Sequence, residues 1–199
     1  SLAKYNNDGD NGSSKVKSKY VITPYDGLKN YLGSNVEILY AKENDLEKIK
    51  QISKEADAVI IIAGYNKHEE GEYIHLKGGR TEKGKDPILT RLGMISKGDR
   101  LSLELPERDL KIIEAVISIT DKLAVCIYSG STVVMESWKN KVPAIMLNFY
   151  NGMEGGNALA RLLFGEVNPS GKLPFTIPVD EKDLPYYDAY ADSITYGYY

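Results

Sequence analysis

Apolar positions recur along this chain at two spacings. Tyr25, Leu28 and Leu32 follow the i, i+3, i+7 stripe of a short helix, with Thr23 placed to cap it, Pro24 at its first position and Gly33 to stop it. Leu46, Ile49 and Ile52 repeat that stripe within 45–56, and Leu110, Ile113, Ala115, Val116 and Ile117 do so within 107–119, after Pro106. A further helix is expected over 155–164, carrying Ala158, Leu159, Leu162 and Leu163. Between these stand two runs that are apolar on both faces, 58–63 and 123–128, as in strands covered by helices on either side. Residues 36–40 and 142–148 are expected as additional strands, and 133–138 as a short helix. Strand and helix alternate, which predicts an α/β layer fold around a mostly parallel sheet.

The alternation breaks after Ala63. From Gly64 to Lys97 the chain turns polar, rich in Gly, Lys, Glu and Asp, with a helical hint only at 87–92. Open α/β sheets hold ligands beyond the carboxyl ends of their strands, so an excursion at this point is where chemistry is expected. Within it, Asn66-Lys67-His68-Glu69-Glu70-Gly71-Glu72-Tyr73 gathers three carboxylates and a histidine. Crowded like charges with little water favour a protonated carboxyl, which is what a general acid needs. A solvated acidic loop has the same composition and is the commoner meaning of a charge run, so both stand open at this point. Glu82, flanked by Arg80 and Lys83, suits exposed ion pairs.

Composition narrows the classes. The 199 residues carry 25 Lys+Arg against 28 Asp+Glu, a net charge of −3, with no basic stripe, which argues against a phosphate-driven nucleic-acid binder. With 42% hydrophobic and 27% charged residues the chain can bury one substantial core. The single Cys126 and the two histidines, His68 and His75, supply neither a disulfide nor a zinc cage, and no metal or cofactor is expected. No apolar run approaches the roughly 20 residues of a membrane span. The first nineteen residues are too polar for a signal peptide, so no membrane partner is expected. A lone thiol slightly favours the cytoplasm without excluding export. Neither a phosphate loop nor the G-x-S-x-G of a serine hydrolase occurs, Ser129-Gly130-Ser131 lacking that frame. The run Asn151-Gly152-Met153-Glu154-Gly155-Gly156, which opens a helix after a strand, fits an oxygen-rich ligand or tight strand-to-helix packing equally well.

Several segments then fall into one order. Glu70-Gly71 after an apolar strand, Gly98-Asp99-Arg100-Leu101-Ser102-Leu103-Glu104-Leu105-Pro106, Tyr128-Ser129-Gly130, Glu136-Ser137-Trp138, Val142-Pro143-Ala144-Ile145 and Gly152-Met153-Glu154-Gly155-Gly156 resemble the C-terminal α/β-sandwich domain of glycoside hydrolase family 3. The most specific stretch is Leu163-Phe164-Gly165-Glu166-Val167-Asn168-Pro169-Ser170-Gly171-Lys172-Leu173-Pro174, and the likeness runs from about Asp8 to about Gly197.

The resemblance implies a single domain over 1–199, a three-layer α/β/α sandwich of flavodoxin or Rossmann type, with 64–100 as a long inserted active-site loop. It implies a fragment of a retaining β-glycosidase acting on terminal β-linked sugars. The aspartate nucleophile would sit on a separate (β/α)8 barrel of the same polypeptide, and this domain would supply the acid/base glutamate and part of the sugar pocket. The family's glutamate-glycine step falls on Glu70-Gly71, which makes Glu70 the expected acid/base, with Glu72, Glu69 and Glu82 as alternatives because Asp99-Arg100 follow only after a long insertion. His68 and Arg100 are the expected sugar-hydroxyl contacts. A strand preceding Ser1 is expected to be missing from the sheet, leaving an edge able to pair with another copy. The isolated domain is expected to be inactive. The alternative is a non-catalytic carbohydrate-binding or structural domain of the same enzyme, and a nucleotide-binding doubly wound domain ranks below both.

Overall fold

The computed structural model describes residues 2–8, 16–70, 100 and 102–184. Its sheet has three parallel strands, β1 (Val59–Gly64), β2 (Leu123–Tyr128) and β3 (Ala144–Leu147), in the order β1-β2-β3. Gly64 lies opposite Tyr128 and Ile127 opposite Leu147, so the three carboxyl ends are level and form one rim. Among the described residues, four α-helices accompany them: α1 (Pro24–Leu32), α2 (Leu46–Glu55), α3 (Glu107–Ile117) and α4 (Gly155–Leu163).

Strand side chains alternate between two faces. Ile61, Ala63, Leu123, Val125 and Ile127 share one core with Ile49 of α2 and Ile112, Ile113 and Val116 of α3. The pair α1 and α4 pack on each other, and their buried Leu28, Leu159 and Ala160 lie outside that core. The result is the expected α/β/α sandwich. Helix starts follow their caps: Thr23 Oγ1 accepts from Asp26 N–H at 3.2 Å, and Asp45 Oδ1 accepts from Lys48 N–H at 3.1 Å.

In the glycine-rich run that opens α4, Gly156 is used for packing, helix against helix rather than helix against strand. A Cβ on Gly27 would stand 2.0 Å from the Gly156 carbonyl carbon, and one on Gly156 would stand 2.1 Å from Thr23 O. The Gly156 N–H donates to Ile22 O at 3.0 Å, so this amide is not available to an anion.

Two sequence expectations fail. Residues 133–138 form no helix: Val133 and Val134 are buried, and Val134 N–H donates to Leu103 O at 2.8 Å within an isolated bridge to Glu104. Paired β-branched residues favour that extended partner over a helical turn. The chain then turns through a 3-10 segment at Lys139–Lys141. Residues 36–40 join no ladder. They line a cleft of about 830 Å³ that Val59, Ile60, Ile61 and Ile62 of β1 also line. Without a neighbour at ladder distance, an extended segment cannot become a strand.

Candidate active site

The excursion begins at a backbone position that requires glycine. Gly64 has φ 118°, and a Cβ there would lie 2.0 Å from Tyr128 O. Two residues of α3 hold it: Gly64 N–H donates to Asp109 Oδ2 at 2.9 Å, and Arg108 Nη2 donates to Gly64 O at 3.1 Å. Asn66 then shapes the next turn, its carbonyl accepting from the Glu69 and Glu70 N–H groups at 2.8 and 3.0 Å. That turn sends the two glutamates to different partners.

Glu70 meets the loops that leave the other two strands. Its Oε2 accepts from Gly130 N–H at 2.7 Å, just past β2, and from the Tyr150 hydroxyl, just past β3. Its Oε1 lies 2.9 Å from Arg100 Nε, and the two side chains are 15% and 6% exposed. Arg100 is fixed in turn by Ser131 Oγ, by Thr132 O at 2.9 Å and by the Tyr65 ring, whose centroid is 4.6 Å from the guanidinium carbon. Burial pushes the Tyr150 phenol well above its ordinary value, and its hydrogen bond to the Glu70 carboxylate adds to that, so it stays a donor. Burial also raises the Tyr65 phenol, against the nearby Arg100 charge.

The other candidates fall elsewhere. Glu69, an alternative acid from sequence, is bound through both oxygens by Arg108 and additionally by Asn66 Nδ2 at 2.7 Å. It anchors the excursion to α3. Asp109, 4% exposed, has its carboxyl pushed up to about 6, mainly by burial, with the Gly64 N–H and Arg108 opposing and Glu69 and Glu43 adding to the rise. His68 is exposed, with Tyr5 edge-on at 6.4 Å between ring centroids. Arg100, expected as a sugar contact, joins Glu70, Ser131 and Thr132. Glu72 and Glu82 lie outside the described residues.

Sequence reasoning missed Gly130, Tyr150 and Arg108. The signal for the first two was positional, since each stands immediately beyond an apolar run that ends at the rim. Chemically, the arrangement fixes one carboxyl group where the loops from all three strands converge.

This architecture matches a known class. The family model described as "Glycosyl hydrolase family 3 C-terminal domain" covers residues 1–199, and the chain belongs to this family. It is 33% identical over 183 residues to Beta-glucosidase BoGH3A of Bacteroides ovatus, covering 87% of this chain and 23% of that protein. To a beta-xylosidase of Formosa agariphila it is 27% identical, over 83% of this chain and 21% of the relative. Among solved structures, the beta-D-glucoside glucohydrolase of Trichoderma reesei superposes with a TM-score of 0.70 at 23% identity, over 90% of this chain and 23% of that one, a likeness of fold. The Chaetomium thermophilum beta-glucosidase gives a TM-score of 0.68 at 25% identity, over 87% and 19%. The chain thus spans less than a quarter of the length of each of these relatives.

Proposed function

We propose that this chain is the acid/base-bearing domain of a retaining β-glycosidase that removes terminal β-linked glucose or a related sugar, and that Glu70 is the acid/base. In the first half-reaction Glu70 gives its proton to the glycosidic oxygen as the C1–O bond breaks and an aspartate on a partner barrel bonds to C1. In the second, the Glu70 carboxylate takes a proton from the water that attacks C1 and releases the aspartate. Retention sets the two carboxyl groups about 5–5.5 Å apart, so Glu70 must face a neighbouring domain. The observation that carries this reading is the place of Glu70: it is tied to the loops beyond β2 and β3, at the rim where open α/β sheets hold ligands. The relatives are named for β-glucosidase and β-xylosidase activity, which supplies the substrate class.

The same contacts favour a second reading. Both Glu70 oxygens are engaged by groups of this domain, which suits an anchor, and the proton donor would then be Glu72. One experiment separates the two. In the full-length enzyme, Glu70→Ala is assayed on aryl β-glucosides with good and poor leaving groups, with and without azide. An acid/base loses turnover on poor leaving groups at least about a hundredfold and regains deglycosylation with azide, forming the glycosyl azide. Loss without leaving-group dependence moves the role to Glu72. A change confined to KM makes the domain non-catalytic.

A further inference from the structure

We propose that Tyr150 is a positioning residue for proton transfer, acting through Glu70: with the Gly130 N–H it pins carboxyl oxygen Oε2, leaving Oε1 as the oxygen presented to the glycosidic bond. This rests on Glu70 being the acid/base.

The two oxygens are held unequally. Oε2 takes two donors, a backbone N–H that cannot rotate and a phenol, whereas Oε1 takes one, at the end of the Arg100 side chain. A substrate arriving over the rim can displace a side chain far more readily than a backbone amide. The fit at Gly130 is close, since a Cβ there would sit 3.2 Å from the Tyr150 ring, which would have to give by a few tenths of an ångström, and at ordinary contact distance, 3.6 Å, from the Glu70 carboxyl.

Tyr150 is itself aimed by a strained residue. Phe149, among the described residues the one non-glycine with positive φ, sits at 52° directly before it. An aromatic L-residue is disfavoured in that region and persists only where the surroundings enforce it. Phe175 packs against Phe149, meeting its ring edge-on at 5.9 Å between centroids. The strain therefore falls on the residue that turns the chain off β3 and sends the next side chain to Glu70. The raised phenol keeps its proton throughout any working pH range, so Oε2 always meets a donor. A carboxyl free to flip would present either oxygen, and fixing one is a positioning effect of the kind that accelerates proton transfer.

The test uses the full-length enzyme. Tyr150→Phe keeps the ring and removes only the hydroxyl. On a β-glucoside with a poor leaving group, kcat should fall about tenfold, the weight of one hydrogen bond to a charged group, with KM within about twofold. On the 2,4-dinitrophenyl glucoside, which departs without a proton, kcat/KM, which reports only the first half-reaction, should fall by less than about twofold. Phe149→Gly retains the hydroxyl but releases the clamp, and should show the same selectivity at smaller size. It carries the test if the Phe variant does not fold. Equal losses on both substrates, or none, overturn the role of Tyr150 while a leaving-group-dependent, azide-rescued Glu70→Ala leaves Glu70 standing. If Glu70→Ala lacks that signature, the acid/base reading fails and this inference fails with it.

Discussion

Asp109 ties stability to pH in a direction opposite to most native carboxylates. It is 4% exposed at the start of α3 and holds the Gly64 N–H from which the excursion departs. The groups facing it are the Arg108 guanidinium, the Glu69 and Glu43 carboxylates and that N–H. Burial dominates, so its carboxyl binds a proton at about 6 in the fold against 3.8 for a free aspartate. This gap makes folding about 3 kcal/mol less favourable once Asp109 ionises in both states. The folded-state value is the higher one, so the contribution is fully present below the unfolded value of 3.8. It is lost as pH rises to about 6. About 2 kcal/mol of it falls between pH 4.5 and 7.

Asp109→Asn keeps an acceptor for Gly64 and removes the titration. The assay is urea unfolding of the chain at several pH values across that window, comparing wild type with the variant. The stability of the Asn protein relative to wild type should rise by about 2 kcal/mol from pH 4.5 to 7. Curves that run parallel to within about 0.5 kcal/mol would refute the reasoning, because they would mean that Asp109 is ionised to the same extent in the folded and unfolded chains.

The packing predictions are simpler. Gly27→Ala drives a Cβ to 2.0 Å from the Gly156 backbone, and α1 and α4 must separate to accept it. The expected loss is about 3 kcal/mol, read as a Tm lower by about 6–12 °C in calorimetry. Thr23→Ala removes the acceptor for Asp26 N–H at the start of α1. It should cost about 1 kcal/mol, or about 2–4 °C in the same scan.

The fold was legible where local patterning and burial agree. Strand β2 matches the apolar run 123–128 residue for residue, and α1 runs from Pro24 to Leu32 between the cap and stop residues that sequence chemistry names. Legibility failed where tertiary pairing decides. Val36 to Tyr40 has strand composition but faces a cleft instead of a ladder partner. Val133 and Val134 have helix-compatible spacing, yet Val134 is claimed by Leu103 O across the chain. Neither outcome is encoded within five residues of the position concerned. The glycines that open α4 had two local explanations, and the one that holds at Gly156 depends on Gly27, far upstream.

The site divides along the same line. Glu69 and Glu70 stood out together because charge clustering after an apolar strand is a local signal, and only the family's glutamate-glycine step singled out Glu70. What separates them is their partners: Arg108 and Asn66 take Glu69 into the scaffold, while Glu70 reaches Gly130 and Tyr150, 60 and 80 residues later in the chain. A parallel sheet forces such separations, because each return to the same rim consumes a strand and its crossover. Residues that cooperate there are therefore never neighbours in sequence, but their positions are still constrained: each must fall just beyond an apolar run. Ser129-Gly130 after β2 and Phe149-Tyr150 after β3 satisfy that condition, and so does the Gly64-to-Glu70 excursion after β1. In a level three-stranded rim, the first few residues that follow each strand are the places to look for the groups that hold a carboxyl group, whatever the residue types in between.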